Sequence, residues 1–330
     1  MNRERAMKVA NAVLYEGYML YPYRRSAIKN RQRWSFGILY PPAYREVAAG
    51  TERSQMHSEC LVKITKHQTS LQIQLRFLQL VERENGEEGV ERSVSFDLPL
   101  DETWVPRCSP GLAGAGPVNV ESTAPPSPKN GENGAPQVFS YPFNFPGSGN
   151  EEVCGAVSVT TTAIREDVLK LSIDVVNTSS MPADSPDRES VLLTSLLSAH
   201  SILSVTGGEF ISLLDPPADL REAVSQCENI GNFPVLVGNE GERDMMLCSP
   251  IILYDYPQVA PESAGDFFDG TEMDEMLTLR VMTMTDQEKD EVRGSGDHVR
   301  ELLQRTEASA REQLTRTHGT IRGMRPVEDP

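Results

Sequence analysis

The chain has 330 residues, 38% of them hydrophobic, enough apolar material for a large core without disulfides. Its formal net charge of −17 argues against general nucleic-acid binding, because phosphate contacts need a basic surface. Five scattered cysteines, none in a CxxC pair, argue against a disulfide framework or a zinc knuckle and for buried free thiols.

The charge is unevenly spread. Residues 1–50 hold nine Lys/Arg against three Asp/Glu, about +6, so the other 280 residues carry about −23. No secretory signal or membrane span is visible, since Glu16 and Gly17 interrupt the short apolar patch near the start. A cytoplasmic protein is expected.

Residues 3–15 place Ala6, Val9, Ala10, Val13 and Leu14 at helical spacing. Tyr18, Tyr21, Tyr23, Trp34, Phe36, Tyr40 and Tyr44 then crowd a short span, where Pro22, Pro41 and Pro42 disfavour a continuous helix. "RWSFGILYP" reads as extended. Residues 58–82 alternate well and predict two strands turning near His67–Ser70; 84–89 is a turn and 90–100 another strand. A three-strand antiparallel meander is the economical expectation.

Residues 106–136 are rich in Pro, Gly, Ser and Asn and read as a disordered insertion. Strands resume at 137–147, 154–166 and 168–179, the last two as a hairpin around Arg165–Asp167. Residues 185–205 begin with helical spacing and run into "TGGEFISLL", where Gly207–Gly208 predicts a hairpin turn. Asp215 as cap and Pro216 at the first position predict a helix over 216–230. "FPVLVG", "MMLCSPIILYDYP" and 275–284 read as strands, and Thr285–Glu288 as a capping box before a C-terminal helix.

The expected organisation is a basic aromatic arm (1–46), an N-terminal β meander (47–105), the insertion (106–136), a C-terminal β portion (137–284), and a terminal helix and tail (285–330). The fold class is mainly β (α+β), with an antiparallel β-sandwich-like core and a few helices.

Catalytic signatures are sparse. There is no Walker-type phosphate loop, no HExxH and no GxSxG. "GLAGAGP" has no preceding strand, and His200, beside an apolar run, reads as a satisfied core histidine. No catalytic residue and no cofactor are assigned. The sharpest polar cluster is 254–276. Asp266, Asp269, Glu272 and Asp274 are its weak metal candidates; oxygen ligands on a loop suit calcium or magnesium, but the spacing fails the EF-hand pattern. The alternative function from another class is a metal-dependent hydrolase using this acidic 254–276 loop.

The same stretch also reads as a docking surface, with Tyr254, Tyr256, Phe267 and Phe268 interleaved among acids. In the arm, Arg24, Arg25, Arg31 and Arg33 supply a basic contact and Tyr21, Tyr23 and Trp34 its anchors. An acidic protein partner fits that arm better than nucleic acid. The remaining alternative is a purely structural module, with the arm folded back on the acidic loop.

Three stretches, 15–44 ("YEGYMLYPYRRSAIKNRQRWSFGILYPPAY"), 196–217 ("LLSAHSILSVTGGEFISLLDPP") and 248–289, beginning "CSPIILYDYPQVAPESAGDFFDGTEMDEM", resemble a bacterial family encoded beside nickel–iron hydrogenase structural and accessory genes. The resemblance implies a hydrogenase-associated role in assembly, maturation or complex support, with a hydrogenase subunit or maturation factor as partner. It implies no catalytic residues. The chain lacks the paired cysteine motifs of a cluster-bearing subunit, so it is not expected to be the hydrogenase itself.

Overall fold

The computed structural model describes residues 2–15, 36–47, 52–65, 68–83, 86–100, 137–147, 151–181 and 187–258. The chain divides into two units, and the described residues apart from Gly86 belong to the first, which takes in 1–17, 34–83 and 87–258. That unit is mainly β: two five-stranded antiparallel sheets face each other as a sandwich.

Sheet one runs in the order β4 (Gln137–Pro146), β5 (Glu152–Arg165), β6 (Val168–Asn177), β1 (Gln55–Ile64), β8 (Gly208–Phe210). Sheet two runs β3 (Gly86–Pro99), β2 (Ser70–Arg83), β7 (Leu197–Thr206), β10 (Met245–Ser249), β9 (Phe233–Leu236). Alternation decides which side chains enter the core. Val153, Val157 and Val159 of β5 and Leu171, Ile173 and Val175 of β6 meet Leu71, Ile73, Leu75 and Phe77 of β2 in one buried cluster. Phe77 packs edge-on against Phe145, with ring centroids 5.6 Å apart.

The expected meander is only partly formed. β2 and β3 are neighbours, but β1 lies in the opposite sheet, paired with β6 from Gln55↔Val176 to Lys63↔Val168. Strands from both sides of 106–136 therefore share one core. Gly207 is also not a hairpin turn. It carries the chain from β7 in one sheet to β8 in the other, with φ +77 and a Cβ position only 2.4 Å from the Gln68 carbonyl oxygen. Only glycine fits there. The β5–β6 hairpin forms at the expected place, turning at Glu166–Asp167.

Helix α1 (Asn2–Tyr15) lies on the outer face of sheet two, against β7, β10 and β2. Its buried residues are Ala6, Val9, Ala10, Val13 and Leu14, the set given by the helical spacing. Burying Val9, Val13 and Leu14 stabilises by about 1.5–3 kcal/mol each. Polar ties fix the helix: Asn2 Nδ2 donates to Asp244 Oδ1, Asn2 Oδ1 accepts the Asn239 N–H, and Arg3 donates to Gln72 at 2.8 Å. Short α2 (Pro42–Val47) starts at a proline, which suits the first helical turn. The start of the expected arm, and its end from Phe36, are thus parts of the sandwich.

Two further helices are short: α3 (Arg188–Leu192), capped by the Asp187 carboxylate on the Ser190 N–H, and α4 (Arg221–Ser225). The helix expected over 216–230 is reduced to α4. Pro217 restricts Pro216 to extended backbone, so the helix cannot begin there, and the Asp215 amide instead donates to Ser212 Oγ at 2.8 Å. Among the described residues, no helix is long and apolar enough to cross a membrane. The insertion at 106–136, the strand expected at 275–284 and the C-terminal helix lie outside the described residues.

Candidate functional site

Residues far apart in sequence meet at one end of the sandwich. Leu39 pairs with Leu196 through reciprocal backbone bonds of 2.9 and 3.0 Å. Gly37 accepts the Ala199 N–H at 2.9 Å. Gly37 also has φ +58, and a Cβ there would stand 2.9 Å from Pro250 Cβ and Cγ. The buried Asn177 side chain donates to the carbonyls of Leu39 and Thr194 at 2.8 and 3.0 Å. Asp255 makes a separate tie between the segments after β8 and at β9: one oxygen accepts Ser212 Oγ at 2.5 Å and the other the Leu236 N–H at 2.8 Å.

These contacts link Gly37 and Leu39 to Leu196, Ala199 and Pro250, and Asp255 to Ser212 and Leu236. On these segments Ile252 is 94% accessible, Tyr254 81%, Leu214 48% and Phe36 38%. The sequence spacing reads Met245–Pro257 as one strand. Pro250 has no N–H for the ladder and ends β10 at Ser249, so Ile252 turns outward.

Backbone strain sits at the same place. Ser198 (φ +51) and Tyr256 (φ +56) are the non-glycine residues with left-handed backbone among those described. Arg76 pairs with His200 and Leu78 with Leu197, so Ser198 and Ala199 both stand opposite Phe77. This bulge turns Leu196 and Ala199 to the core and His200 to the outer face beneath α1. Strain of this kind persists where the surroundings over-determine the backbone, commonly at binding sites.

The expected site residues separate. Tyr254 is exposed as an anchor should be. Tyr256 is not: it packs against the core cluster, its N–H donates to the Leu236 carbonyl at 2.7 Å, and burial pushes its phenol pKa up. Asp255 uses both oxygens in hydrogen bonds within the fold. Tyr21, Tyr23, Arg24, Arg25, Arg31, Arg33 and Trp34, with Phe267, Phe268, Asp266, Asp269, Glu272 and Asp274, lie outside the described residues. Phe36, Leu214 and Ile252 carry no signal as single residues; Pro250 was the usable cue for Ile252.

Other polar clusters serve the fold. Glu59 Oε1 accepts from Ser172 Oγ at 2.7 Å and Lys170 Nζ at 2.9 Å, and Oε2 accepts the Glu228 N–H at 2.9 Å. Burial would raise this carboxyl, but those three donors outweigh it and hold it below its ordinary value. A carboxylate so committed is a poor general base. His57 Nδ1 stands 2.7 Å from Asp174 Oδ1 on the same face. Burial pushes the thiols up, to about 11 for Cys227 and about 12 for Cys248, and Cys60 also rises well above its usual value. Thiolate nucleophiles need the opposite. Among the described residues, no group of three or more His, Cys, Asp or Glu could hold a metal ion.

The chain matches no protein-family model, and no curated protein matches its sequence.

Proposed function

We propose that the chain is a non-catalytic accessory protein that binds a nickel–iron hydrogenase subunit or maturation intermediate in the cytoplasm. The carrying observation is that described parts of the three stretches resembling the hydrogenase-associated family touch, Gly37 and Leu39 against Leu196, Ala199 and Pro250 and Ser212 against Asp255, and that Phe36, Leu214, Ile252 and Tyr254 on those parts are exposed. In sequence, the basic arm precedes Phe36 and the acidic 254–276 stretch follows Ile252. Exposed apolar groups next in sequence to segments of opposite charge suit a protein partner: the apolar groups supply affinity, and the charges steer and orient.

Hydrogen exchange on a complex with purified hydrogenase subunit tests this reading. Protection on binding is expected at 36–39, 212–215 and 250–256. Protection confined to other faces of the sandwich would contradict it.

A further inference from the structure

The face of sheet two under α1 carries a buried polar pair with no part in the proposed interaction. Arg76 on β2 and His200 on β7 are cross-strand partners, both buried. Arg76 Nε and Nη2 donate to Glu91 Oε1 at 3.0 and 2.7 Å, and Nη2 also donates to Asn11 Oδ1 of α1 at 2.7 Å. Nη1 has no partner among the described residues. His200 Nδ1 lies 2.8 Å from the Ser198 carbonyl oxygen. A carbonyl only accepts, so Nδ1 carries the proton and Nε2 presents a lone pair. Nε2 likewise has no partner among the described residues.

A buried polar group left unbonded costs about 1–3 kcal/mol. Here a donor and an acceptor are left on paired neighbours. The ligand that satisfies both must accept from Arg76 and donate to His200. An anion would bring a second negative charge into a buried site whose guanidinium is already matched by Glu91. An ammonium or metal cation would sit against that guanidinium. A small neutral group that both donates and accepts fits, and water is the one small enough for a packed interior.

We propose that one internal water bridges Arg76 Nη1 and His200 Nε2, completing a chain from His200 through the water to Arg76 and Asn11 that ties β7 to α1. Internal waters of this kind are integral to folds and exchange slowly.

The test is a crystal structure of the full chain at neutral pH, at a resolution that shows ordered water. One peak within about 3.2 Å of both nitrogens is expected. No peak, or a direct Arg76–His200 bond, overturns the proposal. In solution, oxygen-17 relaxation dispersion should count one fewer long-lived water in folded His200→Phe than in the wild type. An unchanged count overturns it too. If His200→Phe does not fold, the wild-type crystal structure decides alone.

Discussion

Gly37 and Pro250 are in direct contact: a Cβ on Gly37 would fall 2.9 Å from two carbons of the proline ring. This contact joins the segment that ends the basic arm to the segment that begins the acidic stretch. Gly37→Ala adds a methyl to that contact at a residue with φ +58. It should destabilise the chain by about 1–3 kcal/mol in urea unfolding. An unchanged midpoint would mean that the two segments are not held together there.

Ser198 occupies the first position of a bulge, in the left-handed backbone where glycine is usual. Ser198→Gly relieves about 1–2 kcal/mol of steric cost and adds about 0.5–1 kcal/mol of unfolded-state entropy. Its stability should be equal to the wild type or up to about 1 kcal/mol greater. Ser198→Val, β-branched, should lose about 2 kcal/mol or more. A valine variant as stable as the wild type would contradict the bulge.

His200 gives the fold a pH dependence. Burial, with the Arg76 charge second, lowers its pKa from 6.5 to about 3. In the unfolded chain the imidazole takes up its proton near pH 6.5. Between those values the unfolded state binds more protons, so stability falls as pH drops through that window and this contribution levels off below it. The limiting slope is about 1.4 kcal/mol per pH unit. His200→Phe should flatten the stability profile between pH 6 and about 5, where carboxylates contribute least. An identical slope in both proteins would refute the assignment.

Burial pushes the Cys60, Cys227 and Cys248 thiols above their ordinary range. In native protein at pH 8, Cys60, Cys227 and Cys248 should resist alkylation and become labelled only on unfolding, as peptide mass spectrometry would show. Rapid native labelling of Cys227, the least buried of the three, would mean that its surroundings open readily.

Patterns local in sequence were legible. The spacing of Ala6, Val9, Ala10, Val13 and Leu14 gave α1 and its buried face, and alternation gave β5, β6 and the turn between them. What failed depended on distant partners. Nothing local to β1 says that it pairs with β6 in the opposite sheet, and the run from β7 through Gly207 looks the same whether the chain turns back or crosses over. The meeting of Leu39 with Leu196 and of Gly37 with Pro250 is a tertiary fact, with no mutual signature in sequence. Tyr256 shows the converse. Its composition resembles that of Tyr254, yet its left-handed backbone turns the ring toward the core.

Deleting the whole arm would remove α1, Leu39 and Tyr40, all packed into the sandwich, and would confuse unfolding with lost binding. The most direct test of the proposed function keeps those residues. Tagged full-length protein and the Arg24→Glu/Arg25→Glu/Arg31→Glu/Arg33→Glu variant, both shown to be folded, are recovered from the native host at low salt and their partners identified by mass spectrometry. The expected result is a hydrogenase subunit or maturation factor with the wild type and its loss with the variant. Equal recovery with both, or no such protein with either, would contradict the accessory role.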